Sequence, residues 1–250
     1  MQTAVEFRGV SKTFPDGTLA VDSLDLVVAR GTTTCFVGSS GSGKTTALRM
    51  INRMVDPTSG AVLVGGDDVA TREPVALRRS IGYVMQHAGL LPHRTVLDNV
   101  ATVPVLAGAN RREARERARE IMGAVGLDGA LATRYPAQLS GGQQQRVGVA
   151  RALAADADLL LMDEPFGAVD PVVRADLQEE LRRLRDQFGK TIVFVTHDID
   201  EAFLLGDQVA LFRPGGRLAQ LDSPRQLLDE PADDFVAAFI EAGRPRSILR

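Results

Sequence analysis

The sequence contains a single cysteine, Cys35, so no internal disulfide can form, which fits a reducing cytosol. It lies in the run Thr34-Cys35-Phe36-Val37 and reads as a small core residue of a buried strand rather than a reactive thiol. No run approaches the roughly 20 apolar residues needed to span a bilayer. The N-terminus, Met1 to Phe7, lacks a basic stretch followed by an apolar segment and does not read as a secretory signal. If the protein works at a membrane, another chain must hold it there. A basic excess is also missing, with 29 Lys and Arg against 32 Asp and Glu and a net charge of −3. Nucleic acid is therefore not expected as a partner, and any phosphate must be gripped by a local site. There is no internal repeat and no low-complexity linker.

What is present suits one large domain or two small interleaved ones: 250 residues, 44% apolar and 24% charged. Val5 to Phe7 and Leu24-Leu26-Val28 alternate with their neighbours as half-buried strands do. Pro15-Asp16-Gly17 and the segment Asp56 to Gly60 are turn signals. Residues 33–65 read as strand, Gly-rich loop, helix, turn and strand, with Leu48, Ile51 and Val55 on one side of a helix that starts near Lys44. From about 87 to 150 the texture changes. The charged stretch Arg111 to Glu120 carries Ala114, Ala118, Ile121, Met122 and Val125 at helical spacing, the mark of an exposed amphipathic helix. This reads as a helical insertion in an α/β core. The rhythm returns with apolar runs Leu159–Met162 and Thr191–Thr196, buried parallel strands with a helix over about 171–188 between them. Gln208–Phe212 and Arg217–Leu221 flank Pro214-Gly215-Gly216 as a hairpin, and Phe235, Val236, Phe239 and Ile240 mark a last amphipathic helix.

Gly38-Ser39-Ser40-Gly41-Ser42-Gly43-Lys44-Thr45 matches the P-loop pattern. Phosphate needs inward-pointing backbone N–H groups, and glycines let the chain curl closely enough to supply them. Lys44 brings charge to the β and γ phosphates, Thr45 a hydroxyl for Mg²⁺, and the helix N-terminus further donors. Chance alone produces the pattern in a chain of this size about 1% of the time. The apolar run Leu159 to Met162 then delivers Asp163, suited to hold Mg²⁺ through water, and Glu164, suited to polarise an attacking water as general base. Alone, an apolar strand ending in Asp-Glu means little; paired with an upstream P-loop it becomes strong evidence for a P-loop protein, a class that includes GTPases, kinases, motors and helicases. No Asn-Lys-x-Asp base-reading motif occurs, which argues against a GTPase.

Leu139-Ser140-Gly141-Gly142-Gln143, followed by Gln144-Gln145-Arg146, resembles the signature of ABC ATPases. Read alone it is a Gly-Gly turn before a helix running to about Ala154. As a helix N-terminus it is also a second anion site. Lys44 already serves one γ-phosphate, so a second site is explained if it caps the ATP of a facing copy. The resemblance implies that arrangement, a head-to-tail homodimer sandwiching two ATP molecules.

The resemblance covers roughly residues 3–240 and extends motif by motif. It implies a P-loop NTPase (RecA-like) α/β core with an N-terminal antiparallel β subdomain and an inserted helical subdomain. The division is 1–86 with 151–222 as core, 87–150 as helical part and 223–250 as C-terminal helices and tail. Phe14 stands where the family stacks an aromatic, more often Tyr, on adenine. Residues Gly38 to Thr45 with Thr46, and Ser140, Gly141, Gly142 and Gln143, are implied as nucleotide contacts. Gln86, after Ile81-Gly-Tyr-Val-Met, matches the glutamine that touches Mg²⁺ and lines the transmembrane contact. Ala168-Val169-Asp170 matches the loop crossing the dimer interface, where the family more often has Leu at 169, and His197 matches the switch histidine reaching the γ-phosphate. Glu164, His197, Gln86 and Asp170 are thus the catalytic candidates; Thr45, Gln86 and Asp163 are the candidates for Mg²⁺.

A transporter of this family implies a membrane permease docking near residues 86–93, indirectly a solute-binding protein, and a peripheral position on the cytoplasmic face of the membrane. The segments Met50 to Gly60 and Leu77 to Gln86 look like those of importers for glycine betaine, choline, carnitine and proline. These residues cannot touch the solute, so the substrate class rests on family association. Some relatives append regulatory domains; the chain ends at Arg250, so such regulation is expected to be absent or to lie elsewhere. The alternative is a soluble ABC ATPase in cofactor assembly, which size alone does not exclude. Repair relatives would show long coiled coils and translation relatives two cassettes in one chain, and neither is present.

Overall fold

The computed structural model describes residues 2–86, 88–167, 174–175, 177–179, 181–183 and 189–243. The chain forms two compact units, one from residues 1–77 with 191–250 and one from residues 78–190.

The first unit carries two groups of strands. β1 (Thr3–Thr13) and β2 (Leu19–Ala29) pair antiparallel, β4 (Ser59–Val64) pairs with the other edge of β1, and the short β5 (Asp67–Asp68) closes the sheet. Val5 and Phe7 of β1 and Leu24, Leu26 and Val28 of β2 are buried and alternate with more exposed neighbours, the period-2 pattern of a sheet with one covered face, and Val10, also buried, follows a shift of register after Phe7. β3 (Thr33–Gly38) runs parallel to β8 (Thr191–Thr196) on one side and β9 (Gln208–Arg213) on the other. β10 (Arg217–Asp222) returns antiparallel to β9 across the Pro214-Gly215-Gly216 turn. Every residue of β3 and β8 is buried, which is why both read as unbroken runs rather than alternating ones. Phe36 of β3 packs against Phe7 and Phe212 with ring centroids 6.4 and 5.3 Å away, joining the two groups of strands through one aromatic cluster.

The helices of this unit are α1 (Lys44–Ile51), α2 (Pro74–Arg79, whose last two residues belong to the second unit), α7 (Ile199–Leu205), α8 (Pro224–Asp229) and α9 (Asp234–Gly243). The expectation that Val55 lies on the face of α1 fails. The helix ends at Ile51 because Arg53 turns left-handed at φ 54°, and the amides of Met54 and Val55 fold back onto the Arg49 carbonyl. Arg53 is fixed there by its guanidinium, which donates to the carbonyls of Ala70 and Arg72.

The second unit has the parallel pair β6 (Ile81–Val84) and β7 (Leu159–Asp163), with α3 (Val96–Val100), α4 (Thr102–Leu106), α5 (Arg111–Ala124) and α6 (Gly141–Ala154) between them in sequence. Ala114, Ala118, Ile121 and Met122 form the buried face of α5, as their spacing predicts. The described residues between 174 and 183 are helical; the remainder of the helix expected over 171–188 lies outside the described residues.

Candidate functional site

In the first unit β3 empties into the loop Ser39–Gly43, and α1 begins at Lys44. Two glycines are required there on steric grounds. A Cβ on Gly38 would sit 2.4 Å from the Phe212 carbonyl oxygen, and one on Gly43 2.0 Å from that of Ala20. Gly43 is also left-handed at φ 86°, and as N-cap of α1 it offers no side chain to the first turn. The Lys44 side chain curls back over the loop. Its Nζ donates to the carbonyls of Gly38 at 2.8 Å and Ser39 at 2.7 Å and reaches Ser42 Oγ at 3.3 Å. Lys44 is buried, 5% exposed as a residue, and these neutral acceptors help hold its ammonium in place. Thr45 and Thr46 are half-buried in the first turn of α1.

Phe14 tops a tight turn between β1 and β2, closed by bonds from the Phe14 amide to the Thr18 carbonyl and from the Gly17 amide to the Phe14 carbonyl. Its ring is half-buried rather than core, and the Lys12 ammonium lies 5.3 Å from its centroid. His197 follows β8 and is exposed. The residues on either side of it are pinned. Thr196 Oγ1 donates to the buried Glu201 at 2.6 Å, and Asp198 caps α7 through the amides of Asp200 and Glu201.

In the second unit β7 ends in Asp163 and Glu164. Asp163 is 3% exposed, and the Tyr83 hydroxyl of β6 approaches its Oδ2 at 3.4 Å. Glu164 is half-buried and left-handed at φ 45°, a conformation that costs a side-chain-bearing residue roughly 1–3 kcal/mol and concentrates at functional sites. The Gln86 amide donates to Glu164 Oε2 at 3.0 Å. Tyr83, Gln86, Asp163 and Glu164 thus form one cluster. Asp170 and His87 lie outside the described residues.

The Gly141–Ala154 helix opens with a reciprocal capping box. Ser140 Oγ accepts from the Gln143 amide at 3.3 Å, while Gln143 Oε1 accepts from the Ser140 amide at 3.0 Å. Ser140 and Gly141 are exposed, Gly142 and Gln143 half-buried. The preceding loop is stitched down by Gln144, whose side-chain amide donates to the carbonyls of Pro136 and Leu139.

Several contacts are not legible in the sequence. Gln86 and Tyr83 were not tied to the acids of β7. Arg151 of α6 was not singled out, yet its guanidinium donates to the carbonyls of Ala88 at 2.7 Å and Gly89 at 2.8 Å. Asn99, fully buried in α3, binds the loop ahead of it through the Leu91 amide and the carbonyls of Leu91, Arg94 and Thr95. A polar residue in an apolar helix was the available signal for Asn99; nothing in the spacing marked Arg151.

A buried parallel strand, a glycine-rich turn that tolerates no Cβ at two positions, and a lysine at the start of the next helix define a P-loop nucleotide-binding protein. The chain belongs to the ABC transporter family, which it matches over residues 21–167. It is 48% identical over 240 residues to the carnitine transport ATP-binding protein OpuCA of Listeria monocytogenes, covering 96% of this chain and 60% of that protein. It is 48% identical over 235 residues to the glycine betaine uptake system ATP-binding protein YehX of Escherichia coli, covering 94% of this chain and 76% of that one. Among solved structures, a dimeric post-hydrolysis state of the ATP-binding cassette MJ0796, bound to ADP and Pi, superposes with a TM-score of 0.81 at 33% identity over 88% of this chain and 99% of the other. The chain spans about 60% of the length of the carnitine relative.

Proposed function

We propose that the chain is the ATP-hydrolysing subunit of an importer for small osmoprotectants, the quaternary ammonium compounds glycine betaine, choline and carnitine together with proline. The observation that carries the reading is the cluster at the end of β7, where the buried Asp163 adjoins Glu164 and the Glu164 carboxylate is bonded to Gln86. It supports a base for hydrolysis whose pose depends on the first residue of the loop at which a permease is expected. The substrate class is supported by the names of the relatives, which include importers of carnitine, choline and glycine betaine.

In this mechanism the P-loop amides and Lys44 bind the β and γ phosphates of ATP, Phe14 stacks on adenine, and Thr46 adds a hydroxyl beside Thr45. Glu164 accepts a proton from water as its oxygen bonds to the γ-phosphorus, the bond to the β-γ bridging oxygen breaks, and ADP and phosphate leave. His197 donates to the γ-phosphate. Ser140, Gly141, Gly142 and Gln143 of a second copy cap the same phosphate, and Asp170 lies in the loop expected at that interface. Thr45, Asp163 and Gln86 offer hydroxyl, carboxylate and amide oxygens, a hard donor set that fits Mg²⁺, and the burial of Asp163 favours a cationic neighbour. Bound Mg²⁺ would neutralise charge on the phosphates. The functional division we propose keeps 1–86 with 151–222 as the nucleotide-handling part, 87–150 as the helical part and 223–250 as the tail.

No helix among the described residues is long and apolar enough to cross a membrane. The permease contact we propose is a groove of about 290 Å³ in the second unit, lined among others by His93, Arg94, Val105, Leu106, Arg111 and Tyr135. Leu106 and Tyr135 are 56% and 47% exposed, and the one carboxylate in the lining, Asp98, is already paired with Arg115 at 2.7 Å. A mixed groove in which Val105, Leu106 and Tyr135 lie beside Arg94 and Arg111 fits a short cytoplasmic helix of the permease that carries a carboxylate. The protein would then sit peripherally on the cytoplasmic face of the membrane, with a solute-binding protein acting from the other side.

Reconstitution with a cognate permease and solute-binding protein tests the reading. ATP hydrolysis should rise when glycine betaine, choline, carnitine or proline is supplied. No response to any of the four removes the substrate class, and no hydrolysis at all removes the ATPase. Glu164→Gln should bind ATP yet lose ~10²–10⁴-fold in turnover, the usual worth of a positioned base. An unchanged rate in single-turnover assays would take Glu164 out of its role.

A further inference from the structure

We propose that Arg151 is a positioning residue that fastens the loop following Gln86 to α6, so that the place of this loop sets the pose in which Ser140 to Gly142 are offered to a second copy. The proposal rests on the shared-nucleotide reading above and names how that site is regulated. Two independent contacts carry it. The first is the guanidinium of Arg151, whose two NH₂ groups donate separately to adjacent carbonyls, Ala88 at 2.7 Å and Gly89 at 2.8 Å. Burial lowers the Arg151 pKa from its ordinary value, but a guanidinium titrates far above neutrality and stays charged. Both bonds are therefore charge-assisted, the stronger class of hydrogen bond. The second is Gly148, one turn earlier on the same face of α6. A Cβ built there meets the Ala88 Cβ at 3.4 Å and the Ala88 Cα and carbonyl oxygen at 3.5 Å, so the loop lies directly on the helix backbone.

The chain is held on either side of His87, which lies outside the described residues. On one side Gln86 holds the chain's own base, Glu164, at 3.0 Å. On the other, two and three residues on, Ala88 and Gly89 are held by a helix whose first turn is the signature. Arg151 stands ten residues after Gly141, roughly 15 Å along an α-helix at 1.5 Å per residue. A continuous helix of that length moves as a rod, and α6 has no proline or bulge to absorb a shift at its far end. A permease that displaces the loop therefore acts on the base of the same chain and on the signature presented to the other chain together. Lysine could not replace Arg151 fully, because one ammonium is a point charge and the two carbonyls need a fork.

The test uses the full chain with Mg-ATP, in the Glu164→Gln background that should trap the dimer. Adding Arg151→Ala should weaken ATP-driven dimerisation, read by analytical ultracentrifugation, by about tenfold or more, the scale of losing charge-assisted hydrogen bonds. ATP affinity of the monomer should stay within about twofold, as for sites that share no contact. Arg151→Lys should fall between, and it carries the test if Arg151→Ala does not fold. The decisive arm adds Ala88→Cys and Gly148→Cys to Arg151→Ala. Their Cβ atoms, 3.4 Å apart, are close to the ~3.5–4.5 Å of natural disulfides, and the native Cys35 is buried and does not interfere. Oxidation should restore dimerisation, and reduction should abolish it again. Equal dimerisation of Glu164→Gln with and without either Arg151 variant overturns the proposal, as does a cross-link that forms without restoring the dimer. Failure of Glu164→Gln itself to dimerise overturns the shared-nucleotide reading instead, and this inference with it.

Discussion

Helices α1 and α6 both start from a Gly/Ser-rich segment and both are read as phosphate sites, yet their N-termini are finished in opposite ways. α1 has a left-handed glycine at its N-cap, which contributes no side chain to its first turn. The loop before it is shaped by steric exclusion, with no room for a Cβ on Gly38 or Gly43, and a buried lysine lies across it. α6 caps itself, Ser140 and Gln143 satisfying each other's backbone amides, and its first residue faces solvent. Under the proposed function the first design suits a ligand that its own chain would enclose. The second keeps its shape unaided, as a surface must if it is to be presented to another molecule. The general lesson is that two anion sites built on the same helix-terminus physics can be told apart by whether the protein or the ligand finishes the cap.

That contrast can be broken from either side. The largest effect should come from Lys44→Ala, which removes the charge at α1 and should lower ATP turnover by roughly 10²–10³-fold, the scale of losing one preorganised phosphate donor. Isothermal titration should show the loss in the monomer. Ser140→Arg should leave ATP binding by the monomer intact and abolish ATP-driven dimers on gel filtration; normal dimers would refute a signature shared between chains. Gly43→Ala should destabilise the folded chain by about 1–3 kcal/mol in urea titration, since both the backbone conformation and the Ala20 carbonyl oppose a methyl group. The smallest effect should be Ser140→Ala, about 1 kcal/mol for a lost N-cap. A larger loss there would mean that α6 does not finish its own cap as described.

Much of the fold was legible because the strands that lead to the site are buried on both faces. β3, β7 and β8 read as unbroken apolar runs, and each delivers its residues where the motif requires them. The amphipathic α5 and the β9-β10 hairpin were equally plain, one from its helical spacing and the other from Pro214-Gly215-Gly216. β1 and β2 were only partly visible. Each is 11 residues long, but their ends are polar and bulged, and only the central alternation stands out. Val55 departs from the face of α1 because periodicity says nothing about Arg53, whose guanidinium bonds to the carbonyls of Ala70 and Arg72 far along the chain where the helix ends. The P-loop and signature were legible as strings. The bonds that connect Gln86 to Glu164 and Arg151 to the Ala88-Gly89 carbonyls were not, because each is a single long-range contact that leaves no periodic trace.

The chain has two tyrosines and no tryptophan. Its intrinsic ultraviolet emission therefore arises from Tyr83, whose hydroxyl approaches Asp163, and from Tyr135, which is half exposed at the rim of the basic groove. Each fluorophore stands at one of the two places where something is expected to bind. Occupancy of either would change the light the protein gives off without any label being attached.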